Sequence, residues 1–330
     1  MELLILNAAQ VRQLLPMAAC MDVMAEALQA LGRGEMQNPL RTFTWLPDKH
    51  GLLAAMPAIA PQVMGIKVIS VMPGNMDTEY ESHMGAVMIF DTTYGRPLAL
   101  MDASEITTIR TAAVSGVATR LLAREDASDL AILGTGIQAI SHLEAMLVAR
   151  PIKRVRAWSR HQENREKFAA QAQTRFGISV ELTETAQDAV LGADIICTTT
   201  SSNQPVLQGE WLLDGVHLNV VGASTRQARE VDTAAMVKSS LFADRRESVL
   251  NEAGDFLIPK QEGVIDDNHI RGELGEILLG QIPGRQSRTE ITLFKSLGLA
   301  VEDLASAHYI YRQAVQEGIG TAVEFGSTRH

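Results

Sequence analysis

The sequence predicts an α/β protein in which a doubly wound parallel sheet is inserted into a smaller α/β domain with a mainly antiparallel sheet. Three observations predict it. Residues 41–100 read as short β-type runs split by turn residues, residues 129–243 alternate strand and helix patterns, and residues 297–317 resume a helical pattern. A chain of 330 residues is also long for one core, since domains usually hold roughly 100 to 200 residues. The expected division is residues 1–118 with 300–330 for the smaller domain and residues 119–299 for the parallel sheet.

After a short apolar opening, residues 8–31 place Val11, Leu14, Leu15, Met21, Met24, Leu28 and Leu31 at near-helical spacing, interrupted at Pro16. Two helices follow, because proline removes a donor and crowds the preceding turn. The β-type runs are residues 42–45, 52–56, 64–71, 85–90 and 97–101, with Pro47, Gly51, Pro57, Pro73-Gly74-Asn75 and Gly95 among them. Residues 111–122, rich in alanine with Val114, Val117 and Leu121 on one stripe, form a connecting helix. Strands at 130–133, 154–158 and 180–182 then alternate with helices at 138–149 and 163–176. A helix at 186–192 and strands at 194–197, 216–221 and 241–243 continue the pattern, which implies a parallel sheet covered on both faces. The helix at 297–317 is expected to return to the first domain.

Composition excludes several classes. The chain is 46% hydrophobic and 21% charged, in the range of an ordinary globular protein rather than a disordered one. A formal net charge of -10 repels nucleic-acid backbones and anionic membranes, so neither is an expected partner. Cys20 and Cys197 lack disulfide or zinc spacing, so no metal site is expected and both should be buried thiols. The first ten residues lack the basic opening of a signal peptide, and no run reaches the ~18 apolar residues of a membrane span; cytoplasm is the expected location.

The run Gly134-Thr135-Gly136-Ile137-Gln138-Ala139 is G-x-G-x-x-A between an apolar strand and an amphipathic helix. That is the phosphate loop of a Rossmann-type dinucleotide site. The first glycine permits a tight turn, the second lets a pyrophosphate approach the backbone, and the small Ala139 allows close helix packing. An acidic residue about 20 positions on would select NADH through the ribose 2′-hydroxyl. Here the segment is Trp158-Ser159-Arg160-His161. Ser159 and Arg160 suit a 2′-phosphate, so NADPH is favoured over NADH, unless Arg160 is simply a solvated loop residue. Thr198, Thr199 and Thr200 follow the strand ending at Cys197, where open α/β sheets bind ligands, and are read as nicotinamide contacts.

Arg41, Lys67 and Arg110 each interrupt an apolar or small-residue context. Cations are seldom buried without a partner. Converging, they would bind a small carboxylate, with Lys67 nearest the reacting carbon; otherwise they are separate cations in ion pairs or at strand edges. His83 is a cofactor contact, an acid or a structural residue.

The stretches Ile106-Thr107-Thr108-Ile109-Arg110-Thr111-Ala112-Ala113, Gly134 to Gln138, Gly209-Glu210-Trp211, Asn219-Val220-Val221-Gly222-Ala223-Ser224, Phe294-Lys295-Ser296-Leu297-Gly298 and Glu302-Asp303 resemble the ornithine cyclodeaminase and mu-crystallin family. The resemblance spans nearly the whole chain. It implies a homodimer formed through the smaller domain's sheet, and adds Ser82, His83, Val221, Gly222, Ser224 and Ser296 to the expected cofactor site. It also implies Arg41, Lys67 and Arg110 as the catalytic set. Function varies within the family and has to be argued from the site.

Two departures narrow it. The cyclodeaminases carry an Asp where this chain has Ser224, and an acidic residue ahead of the Met-Pro pair where Met56-Pro57 is preceded here by Ala54. A dicationic substrate such as ornithine would leave its ammonium groups unpaired. Ser224 and the Ser159-Arg160 ending resemble instead the mu-crystallin branch of NADPH-dependent ketimine reductases. The expected reaction is reduction of a cyclic imino acid, pyrroline-2-carboxylate or piperideine-2-carboxylate, to the cyclic amino acid. The alternatives are, in order, an amino-acid dehydrogenase acting on a small 2-keto acid, ornithine cyclodeamination, and a non-catalytic cofactor-binding protein.

Overall fold

Backbone contacts in the computed structural model divide the chain into two units, Met1–Arg110 with Leu299–His330, and Thr111–Gly298. Residues 2–326 are described, without the side chains of Met76 and Asp77; Met1 and residues 327–330, the ends of the ranges expected for the smaller domain, lie outside them. The first junction falls inside a continuous helix after Arg110, where the sequence suggested residue 118.

The first unit opens with strand β1 (Glu2–Leu6), then helices α1 (Ala8–Leu14) and α2 (Met17–Gly32). Asn7 starts α1 through a capping box, accepting from the Gln10 amide while the Gln10 side chain accepts from its own. Pro16 separates the two helices. Strands β2 (Thr42–Trp45), β3 (Leu52–Ile59), β4 (Val63–Val71), β5 (His83–Asp91) and β6 (Pro97–Asp102) form an antiparallel meander, and β1 joins β6 in parallel. Helix α3 (Ala103–Leu122) follows. It begins before the expected residue 111, so the Ile106 to Ala113 stretch is helical.

Register puts one charge into an apolar row. Met56 lies opposite Lys67, Lys67 opposite Val87, Val87 opposite Met101, and Met101 opposite Leu6, all buried. The period of two sends the neighbours to the opposite face. That face carries Leu53, Ile59 and Met84, exposed by 48%, 43% and 38%, with Ile66, Val68 and Met88 half-buried between them.

The second unit contains β7 (Asp129–Leu133), α4 (Ile137–Ala149), β8 (Arg154–Trp158), α5 (Gln162–Phe176), β9 (Glu181–Leu182), α6 (Ala186–Val190), β10 (Ile195–Thr198) and β11 (His217–Val220). Then come α7 (Thr233–Lys238), β12 (Ser240–Ala243), α8 (Arg246–Glu252), α9 (Gly254–Gln261), β13 (Ile270–Glu273), α10 (Leu274–Leu278) and β14 (Thr292–Lys295). Eight parallel strands run in the order β13-β12-β14-β11-β10-β7-β8-β9. Strand order reverses between β7 and β10, the switch point at which doubly wound sheets bind ligands beyond their carboxyl ends. The sequence pattern did not reveal β13, β14 or α7 to α10.

The chain then returns to the first unit with α11 (Ala300–Glu317), packed on β3, β4 and β5, and β15 (Thr321–Glu324), antiparallel to β1. The return was expected from the helical pattern. Among the described residues no single helix is long and apolar enough to cross a membrane.

Candidate functional site

The loop after β7 is shaped by its glycines. Gly134 has φ +96°, in the left-handed region, and a Cβ there would lie 2.7 Å from the Thr199 carbonyl oxygen. Its amide donates to the Trp158 carbonyl at 2.8 Å, fixing the loop against the end of β8. Gly136 is the N-cap of α4; no side chain caps it, and a Cβ there would meet open space. The first amides of α4 therefore face outward with the positive end of the helix dipole, a fit for a pyrophosphate. Ala139 is fully buried, Ile137 is exposed and Gln138 is half-buried.

Beneath the loop, His142 is fully buried. Its Nδ1 donates to the Gln138 carbonyl at 2.8 Å and its Nε2 accepts from Ser115 Oγ at 3.0 Å. Burial pushes its pKa down to about 4, so the ring is neutral. At the end of β8, Thr135 Oγ1 donates to Ser159 Oγ at 2.8 Å, and Ser159 Oγ donates to the His161 carbonyl at 3.3 Å. Arg160 is exposed, and nothing among the described residues bonds to it. No carboxylate stands in the 158–161 segment.

The loops after β10 and β11 meet on Glu230, which sequence reasoning missed. Its Oε1 accepts from the Thr200 amide at 2.6 Å and Thr200 Oγ1 at 2.7 Å. Its Oε2 accepts from Thr198 Oγ1 at 2.8 Å, the Gly222 amide at 2.6 Å and the Ala223 amide at 3.3 Å. Asp255 in turn accepts from the Glu230 and Val231 amides and pairs with Lys295 at 3.0 Å; all three charged residues are fully buried. Burial, then the nearby Asp255, raises the Glu230 pKa against the opposing pull of Lys295 and Thr200. Thr198 is thus buried with its hydroxyl turned to Glu230, and the hydroxyl of buried Thr199 donates to the Leu133 carbonyl at 3.3 Å. Val221 and Ser296 are buried too, the Ser296 amide on the Val220 carbonyl, whereas Ser224 is exposed.

In the first unit the cations converge in part. Lys67 Nζ lies 2.6 Å from Asp303 Oδ2 and donates to Thr107 Oγ1 at 3.3 Å. Arg110 donates from Nε to Asp303 Oδ1 at 2.9 Å and from Nη1 to Glu302 Oε2 at 2.8 Å. Asp303 thus bridges Lys67 on β4 and Arg110 on α3, and all four residues are buried. Asp303 and Glu302 occupy the first turn of α11, where the helix dipole favours acids. Burial would raise the Asp303 pKa, but Arg110 and then Lys67 outweigh it and hold the group below the usual range.

Lys67 is pushed down to about 8, first by burial and then by Arg110 and Arg41, with Asp303 opposing. Arg41, half-buried ahead of β2, therefore lies within electrostatic reach of Lys67. So does His83: crowding by the protein, then Lys67, lowers the pKa of its exposed ring, which hydrogen-bonds Ser82 Oγ at 2.9 Å through Nδ1. Two of the expected three cations share one carboxylate and the third is near. Asp303, Glu302 and Thr107 as their partners had one visible signal, an acidic pair opening an otherwise apolar helix pattern.

A family model described as the ornithine cyclodeaminase/mu-crystallin family matches residues 1–318. The chain belongs to this family. It is 37% identical over 326 residues to a Delta(1)-pyrroline-2-carboxylate reductase of Bacillus cereus, covering 98% of this chain and 100% of that protein. Over 280 residues it is 40% identical to the ketimine reductase mu-crystallin of Mus musculus, covering 84% and 85% of the two chains. The structure of a Thermococcus litoralis Delta(1)-pyrroline-2-carboxylate reductase in complex with NADH and L-proline matches with a TM-score of 0.94 at 38% identity, over 97% of this chain and 99% of that one.

Proposed function

We propose that this protein is an oxidoreductase acting on CH–NH bonds, reducing a cyclic imino acid such as pyrroline-2-carboxylate or piperideine-2-carboxylate to the cyclic amino acid. The observation that carries the reading is the gathering of cations around Lys67 in an apolar row of the sheet. Lys67 and Arg110 share Asp303, Arg110 also binds Glu302, and Arg41 lies within electrostatic reach of Lys67. An ammonium and guanidinium groups held in this way suit a small carboxylate. Across the sheet Lys67 faces Met56 and Val87, and Ala54 supplies no acid for a second ammonium, which disfavours ornithine. The likeness to pyrroline-2-carboxylate and ketimine reductases supports the same choice.

A nicotinamide dinucleotide, when bound, supplies the hydride. In this chain Gly134 to Gln138 and the α4 N-terminus would hold its pyrophosphate, with the loops after β10 and β11 shaping the rest of the cradle. Arg41 and Arg110 bind the substrate carboxylate and set its orientation. Lys67, with its pKa near 8, holds a proton at the imine nitrogen; the protonated imine is the better hydride acceptor, and its N–H remains on the amine product. Asp303 keeps Lys67 charged and in place.

NADPH is the preferred cofactor in this reading. Exposed Arg160 beside Ser159 offers charge-assisted bonds to a 2′-phosphate, and no acid competes there. The apolar outer face of the meander supports a homodimer, since an exposed patch of this kind marks an association surface. Two buried free thiols, Cys20 and Cys197, fit a reducing cytoplasm.

Initial rates with NADPH and NADH over cyclic imines and 2-keto acids, with and without ammonia, test the proposal. Oxidation of the cofactor by a cyclic imine without ammonia is expected. Activity restricted to keto acids plus ammonia would make it an amino-acid dehydrogenase, and ammonia release from ornithine without cofactor turnover a cyclodeaminase.

A further inference from the structure

We propose that Glu230 is a positioning residue for the dinucleotide, latching the loop after β10 to the loop after β11 so that both hold the nicotinamide half of the cradle in one shape. The inference rests on the dinucleotide reading above. Neither loop has regular structure to hold it: residues 199–202 and 221–224 lie outside every helix and strand. One carboxylate replaces that missing structure by accepting five hydrogen bonds, two from the first loop at Thr200, one from Thr198 at the end of β10 and two from the second loop at Gly222 and Ala223.

The loops touch as closely as backbones allow. A Cβ at Gly222 would lie 2.0 Å from the Thr200 carbonyl oxygen and 2.6 Å from Glu230 Oε1. The latch is itself held, because Asp255 binds the Glu230 amide at 2.7 Å, and Lys295, at the end of β14, pairs with Asp255 and donates to the Ala223 carbonyl at 2.6 Å. A purely structural carboxylate could sit anywhere in the core. This one joins the two loops beyond the carboxyl ends of β10 and β11, on the half of a doubly wound sheet that takes the second mononucleotide.

Only a carboxylate satisfies all five donors. A glutamine in either orientation turns an NH2 group toward at least two of them, while keeping the shape of the side chain. The test compares Glu230→Gln with the unaltered protein, measuring affinity for NADPH and for adenosine 2′,5′-bisphosphate, which occupies only the adenosine half. The latch predicts that NADPH binding weakens about tenfold or more, as expected for lost bonds to a charged group, while the fragment binds within about twofold. Unchanged NADPH affinity in the folded variant, or an equal loss for both ligands, overturns it. Unaltered protein that binds neither these ligands nor NADH would instead refute the dinucleotide reading. Should Glu230→Gln fail to fold, Thr198→Val removes one buried donor from Oε2; about a threefold loss for NADPH with none for the fragment is then expected, and no loss overturns the latch.

Discussion

The two units each bury a cluster of charges, and the clusters are built oppositely. In the first, Lys67 and Arg110 meet Asp303 and Glu302 side chain to side chain, and Arg41 adds a third cation nearby. In the second, Asp255 pairs with Lys295, while Glu230 is held by backbone amides and threonine hydroxyls of the loops. Burying charge is costly unless it is paired and hydrogen-bonded. The second cluster meets that requirement internally, so its product is a fixed backbone. The first pairs side chains of opposite charge with one another, so its product is a fixed set of charged side chains. One cluster holds backbone in place, and the other holds charged groups in place.

Removing Lys67 should have the largest effect. Lys67→Met is expected to lower kcat with a cyclic imine by roughly 10²- to 10⁴-fold, the usual contribution of a positioned acid, while NADPH affinity measured by fluorescence is unchanged. Unchanged turnover would take Lys67 out of the mechanism. Breaking the pairing comes next. Asp303→Asn leaves Lys67 and Arg110 without their shared carboxylate, and urea unfolding should show a loss of about 3 to 5 kcal/mol. Because Asp303 is what opposes the depression of the Lys67 pKa, the same variant should move the alkaline limb of kcat/KM to lower pH.

That limb is itself a test. Lys67 is charged below its pKa of about 8, so kcat/KM for imine reduction should fall as pH rises through 8. Lys67→Arg, charged throughout, should be slower but lack the fall. Stability runs the other way. A lysine depressed to about 8 in the folded state and near 10.4 when unfolded leaves the unfolded chain with more bound protons between those values, so the Lys67 contribution makes stability rise with pH across that window. The pH dependence of unfolding midpoints in the unaltered protein and Lys67→Met isolates it.

Changes outside both clusters should be smaller. Arg160→Gln is expected to reduce the preference for NADPH over NADH about tenfold, read as the ratio of kcat/KM values, with little change for NADH. Leu53→Glu, on the outer face of the meander, should shift the proposed dimer to monomer in light scattering while leaving NADPH affinity unchanged.

The contrast between the clusters also explains what could be read in advance. The loop at Gly134 was legible because each residue answers a local need: a positive φ at Gly134, open space at Gly136, a small side chain at Ala139. The meander was legible from alternation and turns. Lys67 and Arg110 stood out as charges in apolar surroundings, but their partners lie more than 190 residues from Arg110, and no local pattern joins them. Glu230 gave no signal at all, since it sits in irregular backbone and acts through five donors on two other loops. The unrecognised β13 and β14 have four residues each, with Arg271 and Gly272 in one and Lys295 ending the other, and the missed helices are only five to eight residues long. Elements this short, an edge strand and an inner strand of the parallel sheet among them, lack the length that periodicity needs.

The central claim, that the protein passes a hydride to a cyclic imino acid, is tested most directly by following the hydrogen. Pyrroline-2-carboxylate would be incubated with NADPH deuterated at both C4 positions, in light water without ammonia, and the product read by mass spectrometry and NMR. The account predicts proline with one deuterium at Cα for each NADPH oxidised. Oxidation without labelled proline, or no oxidation with this imine or its six-membered homologue, would contradict it.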